Sequence, residues 1–221
     1  AEWCRKKYLL NHFLMPKIIC KGNANGAIAV IENKLPGATL DTIWKNLGEK
    51  KQRNIIHQII IFLKYLKGQN KSYIYSVNTG ARYKNFFDYL RENSDKKIII
   101  VKKFKQAQNL IKELSSIINR LKVKKIFDRP EISVVHGDLI IHNLLTDGEN
   151  LTGVLDWELA LFGDPEYDIC RLLYYKECAK SYAEQKTDET FETHFLTKFL
   201  KQIFASNLIK NKMAFLKKYK V

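Results

Sequence analysis

A chain of 221 residues that is 46% hydrophobic and 28% charged, with only 4 Pro and 10 Gly, has the composition of an ordinary globular protein, which excludes a disordered or fibrous one and leaves room for one large domain or two small ones. The 38 Lys and Arg against 23 Asp and Glu leave a formal charge of +15, but the lysines are scattered and no basic stripe interleaves with aromatics, so they read as a solvated surface with no specific nucleic-acid partner. No apolar run of about 18 residues occurs, and Cys4, Cys20, Cys170 and Cys178 form no CxxC pair and have no partner histidines, so neither a membrane contact, a zinc site nor a disulfide framework is expected and the setting reads as reduced and cytoplasmic.

In chain order, Glu2 to Leu14 has the mixed apolar and basic character of a helix that Pro16 ends, so the chain opens in mid-helix. Lys17 to Cys20 and Ala27 to Glu32 read as antiparallel strands about the Gly22-Asn23-Ala24-Asn25-Gly26 turn. Leu35-Pro36-Gly37 breaks the pattern, and a helical region begins at Thr39 to Leu47. From Glu49 to Leu66, Ile55, Ile56, Ile59, Ile60, Phe62, Leu63 and Leu66 recur at three and four, the spacing of a helix with one broad buried face, and His57 reads as packing on it. Tyr83 to Asn93 and Phe104 to Leu121 repeat the helical pattern, while Gln69 to Ala81 and Arg91 to Lys97 read as polar connections. Near Ile132 the period changes. Ser133 to Val135, Asn143 to Thr146 and Leu151 to Leu155 are short apolar runs, the last two joined by the turn Asp147-Gly148-Glu149-Asn150. Helical periodicity resumes at Glu166 and continues, with a break near Thr187, to the end.

The chemistry concentrates in the loop His136-Gly137-Asp138-Leu139-Ile140-Ile141-His142-Asn143, held between an apolar run and a hairpin. Asp156 stands where that hairpin returns to its starting end, so Asp138, Asn143 and Asp156 could converge. Phosphoryl transfer from a nucleotide needs a carboxylate to take the acceptor proton and hard oxygen ligands to hold Mg²⁺ against the phosphates. An Asp, an Asn five residues on and a second Asp beyond a hairpin is the order and spacing of the kinase template. Gly163-Asp164-Pro165-Glu166 reads as a helix start, Asp164 capping and Pro165 in the first turn. His136 reads equally well as a hydrogen-bonded core residue.

The strings HGDLIIHN and GVLDWELALFGDPEYDI together resemble the aminoglycoside phosphotransferase and choline kinase superfamily, with the match dense from Val134 to Leu173. The resemblance implies an α+β, protein-kinase-like fold: residues 1–33 as a remnant of the N-terminal lobe (helix, two strands, hinge) and 34–221 as the helical C-terminal lobe. It implies Asp138 as catalytic base with His136 supporting the loop, Asn143 and Asp156 as Mg²⁺ ligands, Asp164 and Asp168 as structural braces, and ATP or GTP as donor. Ala27 to Glu32 followed by Leu35-Pro36-Gly37 resembles the strand and hinge of that family, which implies adenine contact near Ile31, Glu32 and Asn33. Glu158 and Glu166 lie close enough in sequence to the metal end to meet a cationic acceptor. Ile140, Ile141 and His142 depart modestly from the family pattern.

The family also supplies a glycine turn over the phosphates, a strand lysine and a helix glutamate. Glu2 could be that glutamate, but its lysine has no candidate in these 221 residues. A fragment, a degenerate gene product and a lobe supplied by another chain all account for this, and uncovered apolar surface would favour self-association. The expected function is Mg²⁺-dependent transfer of a nucleotide γ-phosphate to a hydroxyl of a small molecule. The alternative is a catalytically impaired kinase-like module that binds nucleotide or a protein partner.

Overall fold

The computed structural model describes residues 15–105, 108–123, 131–173, 189–209, 211 and 215; Glu2 and the N-terminal helix expected around it, and the break near Thr187, lie outside them. The first elements are strands β1 (Ile18–Ala24) and β2 (Ala27–Glu32), paired antiparallel as a sheet of two. Asn25 and Gly26 both take positive φ, the conformation of a tight two-residue hairpin turn, and the Asn23 side chain accepts from Gly26 N–H at 3.0 Å. The turn is thus shorter, and β1 longer, than the five-residue glycine and asparagine segment suggests.

After the Pro36-Gly37 turn, β3 (Ala38–Thr39) leads into the short helix α1 (Leu40–Ile43), a 3₁₀ turn at Trp44–Asn46 and the long helix α2 (Glu49–Lys67). Ile55, Ile56, Ile59 and Phe62 on α2 are fully buried, each worth about 1.5–3 kcal/mol. Gln52 is buried on the same helix and has partners at both ends of its amide: Nε2 donates to the Trp44 carbonyl at 3.0 Å and Oε1 accepts from Lys198 at 2.7 Å.

The stretch expected as a polar connection from Gln69 to Ala81 contains a strand, β4 (Ile74–Ser76), which pairs with β5 (Arg82–Tyr83). Helix α3 (Phe86–Val101) starts at Asn85, whose side chain accepts from Asp88 N–H at 2.8 Å, and runs straight through Arg91 to Lys97. That segment was expected to be a loop. Its polar side chains mostly line the outside of a helix whose continuation buries Ile98, and Glu92 and Lys96 pair along that outside at 2.6 Å. Helix α4 (Gln108–Val123) follows.

Strand β6 (Ser133–Val135) is entirely buried. The hairpin of β7 (Leu144–Thr146) and β8 (Leu151–Val154) extends with β3 into a three-stranded sheet, and β9 (Leu161–Gly163) inserts between β4 and β6 to give the order β5-β4-β9-β6. Helical residues 166–173 (α5) and helix α6 (Glu189–Ala205) complete the described elements. One apolar cluster joins α2, Phe195, Phe199 and Ile203 of α6, and Leu139, Ile141, Leu144, Val154, Trp157, Ile169 and Leu172. Leu139 and Ile141 belong to the loop at His136 to Asn143 itself, so the core anchors the loop through these two side chains. No helix among the described residues is long and apolar enough to cross a membrane.

Candidate active site

The loop leaves β6 at His136, whose ring is fully buried and has a partner at each nitrogen. Nε2 lies 2.8 Å from the Leu155 carbonyl and Nδ1 accepts from Asp138 N–H at 3.3 Å, which sets the tautomer with the proton on Nε2. Burial lowers the imidazole from its ordinary 6.5 to about 4, so it stays neutral. The ring also packs on Trp157, centroids 4.6 Å apart.

Gly137 follows with φ of 88°, and a Cβ there would stand 2.2 Å from the Leu159 carbonyl oxygen. Only glycine lets the loop turn this tightly against the 3₁₀ turn Trp157–Leu159. The main-chain N–H groups of His136 and Gly137 both donate to Asp168, at 2.7 Å to Oδ2 and 2.9 Å to Oδ1. Asp168 is buried, and burial raises its carboxyl to about 7 against the pull of those two donors and of Arg171.

Asp138 and Asn143 meet across the loop, Asn143 Nδ2 donating to the Asp138 carbonyl at 2.9 Å. Asn143 meets the β7–β8 hairpin through its own carbonyl, which accepts from Leu155 N–H at 2.8 Å. The Leu155 residue is thus bonded on one side to Asn143 and on the other to His136, and Asp156 is the next residue. Asp156 is exposed and left-handed, φ 59° and ψ 64°, a conformation disfavoured for a residue with a side chain. Such backbone persists where its surroundings dictate it, commonly at working sites. Asp138, Asn143 and Asp156 are therefore drawn to one end of the hairpin by three hydrogen bonds, all reached through main-chain atoms.

Asp164 caps α5: buried, with Oδ1 accepting from Glu166 N–H and its carbonyl from Tyr167 N–H, each at 3.0 Å. Glu158 is exposed in the 3₁₀ turn beyond Asp156, and Glu166 is half-buried at the start of α5. Ile31 and Glu32 are exposed at the end of β2, with Asn33 half-buried beside them. Asn33 N–H donates to the Lys17 carbonyl at 3.0 Å, and its side chain accepts from Lys17 N–H. His142 Nε2 lies 3.4 Å from Asp41 of α1.

One side chain at the site escaped the reading of the motif. Arg171 on α5 donates from Nη2 to Asp138 Oδ1. Its spacing, three residues after Asp168 on a helix, was the available signal. No group of three or more His, Cys, Asp and Glu that could hold a metal occurs among the described residues.

A family model described as phosphotransferase enzyme family matches residues 8–198. Hygromycin-B 4-O-kinase of Escherichia coli is 38% identical over 50 residues, a match spanning 22% of this chain and only 15% of that protein. Among solved structures, a thermostable mutant of the aminoglycoside phosphotransferase APH(4)-Ia, in ternary complex with ADP and hygromycin B, superposes with a TM-score of 0.61 at 16% identity over 99% of this chain and 78% of its own. The streptomycin-ATP-APH(2")-IIa ternary complex gives 0.57 at 18% identity over 98% and 70%. These likenesses speak for the fold, which is α+β and protein-kinase-like. Since the matched residues 8–198 take in the hairpin β1–β2 and every side chain of the site, the chain belongs to the phosphotransferase enzyme family.

Proposed function

We propose that this chain catalyses Mg²⁺-dependent transfer of the γ-phosphate of ATP to a hydroxyl of a small molecule, with Asp138 as the catalytic base. The observation that carries the reading is the bond from Leu155 N–H to the Asn143 carbonyl, which draws Asp156 toward the loop that bears Asp138. In the reaction the acceptor oxygen bonds to the γ-phosphorus while the bond from that phosphorus to the β–γ bridging oxygen breaks. The bridging oxygen leaves on ADP with the electron pair, and the acceptor proton passes to Asp138.

The donors present fit Mg²⁺. Asn143 commits its amide nitrogen to the Asp138 carbonyl, which leaves the amide oxygen as ligand, and Asp156 adds an exposed carboxylate. Few, hard oxygen donors suit an ion that keeps several of its waters, and a bound ion would neutralise charge on the phosphate oxygens. His136, with both ring nitrogens committed and no charge, supports the loop and takes no part in proton transfer. Asp164 and Asp168 brace the loop through α5.

ATP is the donor favoured, because the related structures carry ADP and ATP. Adenine would lie along Ile31 and Glu32, and since the Asn33 amide is already taken by Lys17 the purine's donor comes from another residue of that segment. Aminoglycosides are the acceptors to try first, hygromycin B and streptomycin being bound by the related enzymes, with Glu158 and Glu166 available to a cationic acceptor. A coupled assay of ADP release over hygromycin B, streptomycin, choline and sugar alcohols checks the reading. Asp138→Ala should lower turnover about 10²–10⁴-fold while ATP binding changes by less than a few-fold. Wild-type turnover in that variant, or absence of both nucleotide binding and turnover in the unaltered chain, would remove the enzyme reading.

A further inference from the structure

The turn of α5 that carries Asp168 also carries Arg171, and side chains three apart leave a helix on the same face. Asp168 commits one carboxylate oxygen each to the main-chain N–H groups of His136 and Gly137. Arg171 reaches the side chain of the very next residue, Nη2 to Asp138 Oδ1. A single helical turn therefore grips the loop at two levels, the backbone through Asp168 and the reacting carboxylate through Arg171.

We propose that Arg171 is a positioning residue for phosphoryl transfer: its guanidinium occupies Oδ1 of Asp138 and fixes the carboxylate so that Oδ2 alone is presented to the acceptor hydroxyl. This rests on the reading of Asp138 as base. An aspartate on a loop has several side-chain rotamers open to it, and a displacement of about 1 Å at a reacting group costs about 100-fold in rate. A planar, charged donor holds a carboxylate in direction as well as distance, which a lysine ammonium does not. Exposure is graded to suit: the Arg171 side chain is 30% exposed and that of Asp138 20%. The pair is shielded enough to hold its geometry, and the second oxygen is still within reach of a small molecule. Helix α5 is itself well anchored, with Asp164 capping its start and Ile169 and Leu172 buried, so the guanidinium is carried by a rigid element.

The test uses Arg171→Ala, Arg171→Lys, Asp138→Asn and the double variant, with ATP hydrolysis by water and phosphorylation of hygromycin B as readouts. Arg171→Ala should lower kcat about 10- to 100-fold with the ATP dissociation constant unchanged within twofold, Arg171→Lys should recover part of the loss, and added guanidinium should raise the rate of Arg171→Ala alone. On the Asp138→Asn background the same change should cost nothing further, because the effect runs through that carboxylate. Full turnover in Arg171→Ala, a loss that appears only in ATP affinity, or an undiminished further loss on the Asp138→Asn background would overturn the proposal. An inactive Asp138→Asn beside a fully active Arg171→Ala sinks the positioning role alone, whereas a fully active Asp138→Asn sinks the base reading too. An arm that needs no turnover is the side-chain nitrogen NMR spectrum of arginine-labelled chain. The Arg171 signals should shift and rotate faster in Asp138→Asn, and an unchanged spectrum would overturn the contact.

Discussion

His136 and Asp168 are both buried at the site, and burial moves them in opposite directions because each resists carrying its charge out of water. His136 falls from 6.5 to about 4 and Asp168 rises from 3.8 to about 7. Between about pH 4 and 6.5 the unfolded chain protonates a histidine that the folded chain leaves neutral, so His136 makes stability rise with pH in that window. Asp168 is protonated in the folded chain where it is ionised in the unfolded one, so its contribution is fully present below about pH 4 and is lost as pH rises through 7. In the wild type the two slopes offset each other. Thermal melts from pH 4 to 7 separate them: relative to wild type, His136→Gln should lose stability as pH rises and Asp168→Asn should gain it up to about pH 6.5. Parallel curves for all three proteins would mean that neither group is buried in the way described. Near pH 4, Asp168→Asn should also melt lower than wild type, since one of the two donors on the loop loses its acceptor, at a cost of about 1–3 kcal/mol.

Among the elements, the loop from His136 to Asn143 depends most on one backbone conformation. Gly137→Ala places a Cβ 2.2 Å from the Leu159 carbonyl oxygen at a φ of 88°. The left-handed region alone costs an ordinary residue about 1–2 kcal/mol, and the clash with backbone adds to it. The variant should melt at least about 4 °C lower and turn over more slowly, whereas Gly22→Ala on β1, with no atom within 4 Å of the added methyl, should melt as wild type. Equal melting of both variants would remove the packing of the loop on residues 157–159. Element by element, α2 was legible because its apolar spacing repeats over five turns. Strands β4 and β9 were not, since each is three residues long and is defined by pairing such as Tyr75 with Phe162, far apart in the chain. The continuation of α3 past Arg91 was hidden for a related reason: a helix with a charged outer face reads as a loop until its inner face has something to pack on.

At the scale of the whole molecule, the hairpin β1–β2 stands apart from the core that holds the site. All six residues of β2 are exposed, and Ile28 is 82% so. Ile19 and Ile31 add to the exposed apolar area, of a kind that draws proteins into association. Ile28→Glu should therefore change stability by less than about 0.5 kcal/mol and reduce any self-association seen by light scattering. A destabilisation beyond about 1 kcal/mol would show that this face is covered.

What the sequence determined by itself was the order and identity of the chemical groups: Asp138, Asn143 and Asp156 at kinase-like spacing, the glycine between His136 and Asp138, the cap at Asp164 and the buried face of α2. Those signals are local, set by turn geometry and helical period over a few residues. The tertiary structure alone decided the contacts between them. His136 meets the Leu155 carbonyl across 19 residues and Arg171 meets Asp138 across 33. Such contacts depend on where the shared core seats the hairpin and α5, and no periodicity in the intervening segments encodes the direction in which a guanidinium will point.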